Sequence, residues 1–223
     1  MRAARFVVAF GLTAFLFTSP AAAAPITITF DAGDPIGGLA AGTTLSNQYA
    51  GVGVTFSPNG FTGAGGPSGS WATNTNMTIV SSTGVDVGGL GTPSLVSGNL
   101  LHSFNGWLGE NGDASFRATF AGGITSLSAT FAGIATPGST RLFAYNGSTL
   151  LATATASSGD DEQQVLTVSS ATPITSVVFT PGDFFDWVGV DNITFTPVDV
   201  PEPATLTLLA LGVAAAVRSR RRR

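Results

Sequence analysis

Residues 114–131 read ASFRATFAGGITSLSATF, and the fold class follows from how they alternate. Phe116, Ala118 and Phe120 fall on one side of an extended chain, with Arg117 and Thr119 on the other. After two glycines the pattern resumes: Leu127, Ala129 and Phe131 alternate with Ser128 and Thr130. A period of two is the signature of a strand with one face buried. The spacing predicts two strands, 114–120 and 124–131, joined by a turn at Gly122-Gly123.

Outward from this pair the chain continues in the same manner. ITITF (26–30), VGVTF (52–56), MTIV (77–80) and LLHSF (100–104) precede it. TRLFAY (140–145), STLLATATA (148–156), QVLTVSS (164–170), ITSVVFT (174–180) and WVGVDNITF (187–195) follow. Threonine, valine, isoleucine and phenylalanine dominate these runs, as half-buried pleated surfaces favour. Asn146-Gly147, Pro137-Gly138 and Pro181-Gly182 supply turns. No stretch of the body has a 3.6-residue apolar period. Ten or eleven short strands predict an all-β, antiparallel β-sandwich of jelly-roll type. The glycine-rich stretches 57–71 and 85–99 are expected to be long loops at one end of it.

The two ends are of another kind. Arg2 and Arg5, an apolar run from Phe6 to Phe17 and a small-residue stretch have the layout of a secretory signal peptide, and cleavage is expected after Ala23. At the other end, Ala204 to Val217 carries no charge, and five of the last six residues are arginine. As a helix this segment would be about 21 Å long, short of a hydrocarbon core of about 30 Å. The arginines would hold the distal end in the cytoplasm. The expected organisation is a signal peptide at 1–23, a β-sandwich domain at 24–199 and a sorting signal at 200–223 with a short apolar helix.

Pro201-Glu202-Pro203, the apolar segment and the cluster Arg218, Arg220, Arg221, Arg222 and Arg223 resemble the PEP-CTERM sorting signal of Gram-negative bacteria. The resemblance implies recognition by an exosortase, after signal peptidase has acted at the other end and the tail has stood transiently in the inner membrane. It implies an exported protein, at the cell surface or extracellular, in a setting of exopolysaccharide production. GTTLSNQYAGVGVTFS (42–57), FRATFAGGITSLSATF (116–131), LFAYNGSTLLATATA (142–156), ITSVVFT (174–180) and VDNITF (190–195) are also similar, in that order, to secreted β-sandwich modules that carry such tails. Those modules look like jelly-roll carbohydrate-binding and lectin-like domains, most of them without an assigned activity.

Charge and composition narrow the chemistry. Residues 25–200 hold two arginines against twelve carboxylates, a net charge near −10, and the whole chain has no lysine and no cysteine. Such a body repels phosphate backbones, so nucleic acid is not an expected partner. Disulfides, zinc–thiolate sites and cysteine nucleophiles are excluded. His102 is the sole histidine and lies in a strand pattern with no G-x-S-x-G elbow, which reads as structural. Glu110 and Asp113 are the nearest approach to a glycosidase pair, but their spacing fits a turn better. The chain is expected to be non-catalytic, with a secreted polysaccharide-active enzyme as a distant alternative.

Two binding sites are candidates, each beside a plainer structural reading of the same residues. Asp191 shares strand parity with Ile193 and Phe195, so it points inward near the start of the last strand, where a carboxylate requires a cation or several N–H donors. If the first and last strands lie side by side, Asp31 or Asp34 comes within reach of it. Calcium is then the fitting ion, with backbone carbonyls completing its shell. Simple acceptance of backbone hydrogen bonds by Asp191 is the alternative. Trp71 and Trp107, with Glu110 and Asp113, are the candidate glycan platform for an exopolysaccharide; burial in the core is the alternative for each tryptophan, Trp187 included.

Overall fold

The computed structural model describes residues 23–58, 77–83, 94–102, 115–134, 136–159, 162–180 and 188–198. They form one compact unit, Ala23–Val198. Nine strands lie among the described residues: β1 (Ile26–Ile28), β2 (Val54–Pro58), β3 (Thr78–Ser81), β4 (Asn99–His102), β5 (Phe116–Ile134), β6 (Arg141–Asn146), β7 (Thr149–Thr155), β8 (Glu162–Thr180) and β9 (Gly189–Pro197). Every pairing is antiparallel. The only helical element described is a single 3-10 turn, Ala50–Val52, so no described helix is long and apolar enough to cross a membrane.

The opening stretch corrects its own reading. Residues 116–120 and 124–131 belong to one strand of 19 residues, β5, and the runs 164–170 and 174–180 likewise merge into the 19-residue β8. Gly122 and Gly123 sit at φ +81° and +79° but do not reverse the chain. They occupy an irregularity in the β5–β8 ladder, where the register shifts between Thr119 and Ile124. The apolar side passes from even positions (116, 118, 120) to odd ones (127, 129, 131), which a regular strand cannot keep on one side. Between Thr119 and Ile124, β5 advances five residues against two on β8, from Ser176 to Ile174, and this irregularity breaks the phase and bends the strand. Two of the other expected turns are described: β6 and β7 join through Gly147 and Ser148, and Gly138, at φ +85°, donates its N–H to Ala156 O, while Pro181-Gly182 lies outside the described residues.

The bends carry β5 and β8 from one layer to the other. In the first layer the order is β2, β5 (116–120), β8 (176–180), β6, β7. In the second it is β3, β4, β9, β5 (124–134), β8 (162–174), with β1 beside β9 in line with β4. Rings from both layers meet between them. Phe120 lies 5.1 Å from Phe195 and Phe131 lies 6.2 Å from Phe179, while Phe116 stacks on Phe179 at 4.4 Å. Each fully buried phenylalanine contributes roughly 1.5–3 kcal/mol. The body is thus an antiparallel β-sandwich with an aromatic core. His102 is buried in β4, beside Thr78 of β3 and Gly189 of β9.

Candidate functional site

β1 and β4 occupy the same edge of β9, end to end. Ile28 pairs with Ile193, and Leu101 with Val190. Asp191 stands on β9 between these two pairings, at the gap where β1 leaves and β4 enters. The first and last strands therefore do lie side by side, and the chain leaving β1 brings Asp31 to this gap.

β9 is irregular at the same point. Its register with β5 shifts between Ser128 and Thr130, and Asn192 adopts φ +50°. Asparagine tolerates this left-handed conformation better than other non-glycine residues. The Asp191 side chain is buried. Its Oδ1 accepts the Asn192 N–H at 2.6 Å, the Asn192 amide reaches its Oδ2 at 3.3 Å, and the Ser97 N–H also donates to the carboxylate. Burial pushes its pKa up, to about 7; the donors from Asn192 and Ser97 oppose this, and the negative charge of Asp31 adds to it.

Asp31 holds the opposite side of the gap. Its Oδ1 accepts the Asn99 N–H at 2.8 Å. Gly98, at φ +68°, passes so close that a Cβ there would collide with both carboxylate oxygens of Asp31. Asn99 Nδ2 donates to Leu39 O at 3.0 Å, and Asn192 Nδ2 to Leu95 O at 3.0 Å. Gln163 Oε1 accepts the Leu95 N–H at 2.6 Å. Segment 94–99 is thereby tied to both carboxylate-bearing elements.

Asp34 has a different employment. The turn after β1 begins with Phe30 at φ +60°, and Asp34 closes it. Asp34 Oδ2 accepts N–H groups from Thr29 (2.9 Å) and Phe30 (3.0 Å) and the Tyr49 hydroxyl (3.0 Å), and Oδ1 accepts from Ile36 N (3.1 Å). Four donors satisfy this buried carboxylate without an ion. Burial first, and then the Asp34 charge, raise the Tyr49 pKa far above its ordinary value. Among the described residues, no three acidic or histidine side chains gather in a metal-holding group. A cation at this gap would rest on Asp31 and Asp191 together with backbone oxygens, a donor set of hard oxygens that suits calcium.

Gly98, Asn99, Asn192 and Tyr49 were not expected to take part. Asn192 directly after Asp191, and the Ser97-Gly98-Asn99 turn leading into β4, are the sequence features that point to them. Trp71, Trp107, Trp187, Glu110 and Asp113 lie outside the described residues, as do residues 1–22, which hold most of the expected signal peptide, and all of 199–223.

Comparison with known proteins gives the following. Residues 199–223 match the PEP-CTERM protein-sorting motif. No curated protein matches the chain. Among solved structures, the K2 cleaved adhesin domain of Lys-gingipain is similar at 15% identity and a TM-score of 0.44, covering 78% of this chain and 99% of that one. A family 6 carbohydrate-binding module is similar at 18% identity, covering 58% of this chain and 95% of that one, with a TM-score of 0.29. Another such module, from Clostridium stercorarium in complex with cellobiose, shares 16% identity over 60% of this chain and 100% of its own, with a TM-score of 0.28. The chain therefore carries a PEP-CTERM protein-sorting motif at residues 199–223, behind an antiparallel β-sandwich body.

Proposed function

We propose that this chain is a non-catalytic component of the cell surface or extracellular matrix, exported through its signal peptide and sorted by an exosortase-type enzyme acting at its tail. The observation that carries the reading is the PEP-CTERM motif at 199–223. Pro201-Glu202-Pro203, an uncharged segment and five arginines give an address and no activity. The composition agrees: without lysine or cysteine, and with a single histidine, the chain has few of the groups from which nucleophilic sites are made. The test is to purify the protein from its host and weigh it intact. The expected product has lost residues 1–23 and the apolar tail and is found outside the cytoplasm. In a host lacking the exosortase the tail should stay on and the protein should remain with the membrane. A cytosolic protein with both ends intact would overturn the reading.

A structural calcium ion between Asp31 and Asp191 belongs to the same proposal. What supports it is a pair of carboxylates set close enough that the charge of one raises the pKa of the other, with Asp191 buried. The hydrogen bonds from Asn192 and Ser97 oppose that shift without cancelling it, and a divalent cation would.

A further inference from the structure

β7 ends the strand order of the first layer. β6 pairs with its inner side, and among the described residues nothing pairs with its outer side. The strand is Thr149–Thr155, TLLATAT, with neither a charge nor a proline. Thr149, Thr153 and Thr155 are exposed, and Leu150 is 51% exposed. An unpaired edge presents a row of N–H and C=O groups to any strand that meets it, and proteins blunt such edges with lysine, proline, inward charges or bulges. This chain has no lysine anywhere. The one irregularity of the β6–β7 ladder lies between Ala144 and Tyr145, so Ala152–Thr155 keep regular pairing with Arg141–Ala144.

The charge distribution selects the occupant. The body carries twelve carboxylates, yet none falls between residues 114 and 159, the span that holds β5, β6, β7 and both arginines. Two copies repel each other through their acidic regions and least across β7. An antiparallel pairing of β7 with itself is isologous, sets neutral residues against neutral residues and satisfies both rows of backbone groups. We propose that β7 is a self-association edge, at which a second copy of this chain adds its own β7 antiparallel and joins the two first layers into one sheet. A seven-residue strand is about 24 Å long, too little for an interface of the usual ~1,600 Å². The pairing is therefore weak in solution and strengthens where copies are held close together.

The absence of cysteine makes the test direct. Thr153→Cys puts a single thiol next to the middle residue, Ala152, of the exposed edge of the full-length chain, kept in mild detergent. Across an antiparallel pair the Cα atoms stand about 4.5–5.5 Å apart, within disulfide reach. Thr119→Cys, exposed on β5 and paired on both sides, with Thr55 and Ser176, is the control. Under mild oxidation Thr153→Cys should form a disulfide dimer roughly tenfold faster than the control, and adding Leu150→Lys should reduce it to the control rate. By sedimentation the cysteine-free chain should show a reversible dimer that Thr153→Lys weakens by roughly tenfold, with unchanged circular dichroism. Equal oxidation rates, a dimer indifferent to Thr153→Lys, or a chain that stays monomeric at every concentration would overturn the proposal.

Discussion

Tyr49 donates its phenolic hydrogen to Asp34 Oδ2 at 3.0 Å, joining two residues fifteen positions apart inside the core. The Tyr49 ring also meets Phe30 and Phe56 edge-on, each at 6.1 Å. One carboxylate thus fixes the turn after β1 while its tyrosine partner packs the 3-10 turn before β2. The arrangement explains why a buried acid is tolerated here: hydrogen bonds to a charged group are the stronger kind.

Asp34→Ala should cost about 3 kcal/mol, because three backbone N–H groups and a hydroxyl lose their acceptor together. Tyr49→Phe removes one donor of four and should cost about 1–2 kcal/mol. Urea unfolding of both variants checks the order. A Tyr49→Phe loss as large as that of Asp34→Ala would show that the carboxylate depends on the hydroxyl alone.

Asp191 makes stability depend on pH in an unusual direction. Its carboxyl is raised to about 7 in the folded protein from 3.8. Between those values the folded state binds a proton that the unfolded state does not. Without calcium, stability should therefore be full below about pH 4 and decline as pH rises towards 7, by on the order of a few kcal/mol for this group. Asp191→Asn should flatten that slope. Saturating calcium should raise the melting temperature at pH 8, and Asp191→Ala should abolish that rise. A melting temperature indifferent to calcium and to chelator would remove the ion from the proposal.

Gly98→Ala and Gly138→Ala form a matched pair. Both residues have positive φ, +68° and +85°, but a Cβ at 98 meets the Asp31 carboxylate while one at 138 meets nothing within 4 Å. Gly138→Ala should cost about 1–2 kcal/mol, the conformational term alone. Gly98→Ala should cost more, and Asp31→Ala in the same chain should recover part of the difference. Chemical denaturation of the three variants decides it; equal losses at the two glycines would place no weight on the contact with Asp31.

Phe195→Ala should cost about 3–5 kcal/mol, since it opens the contact with Phe120 at 5.1 Å that joins the two layers. Phe195→Leu should cost less than half as much. Thermal unfolding of the two variants measures the difference, and a loss below 1 kcal/mol for alanine would mean that the layers do not meet through this pair.

The sequence by itself determined most of the strands, their buried sides and the sorting tail, because each is written in residues near one another. Period-two alternation needs only a half-buried strand, and a sorting tail is read as a linear segment. Tertiary structure alone decided that Gly122-Gly123 bends a strand where a reversal was expected. Whether paired glycines make a hairpin or a bulge depends on where the next partner lies, and β8 runs past both halves of β5. It also decided the division of labour between two aspartates three residues apart. Asp34 meets four donors of its own turn and of Tyr49, whereas Asp31 faces Asp191 across a gap formed when β1 and β4 share one edge of β9. That encounter joins residues some 160 positions apart, and no local pattern encodes which distant carboxylate a turn will face.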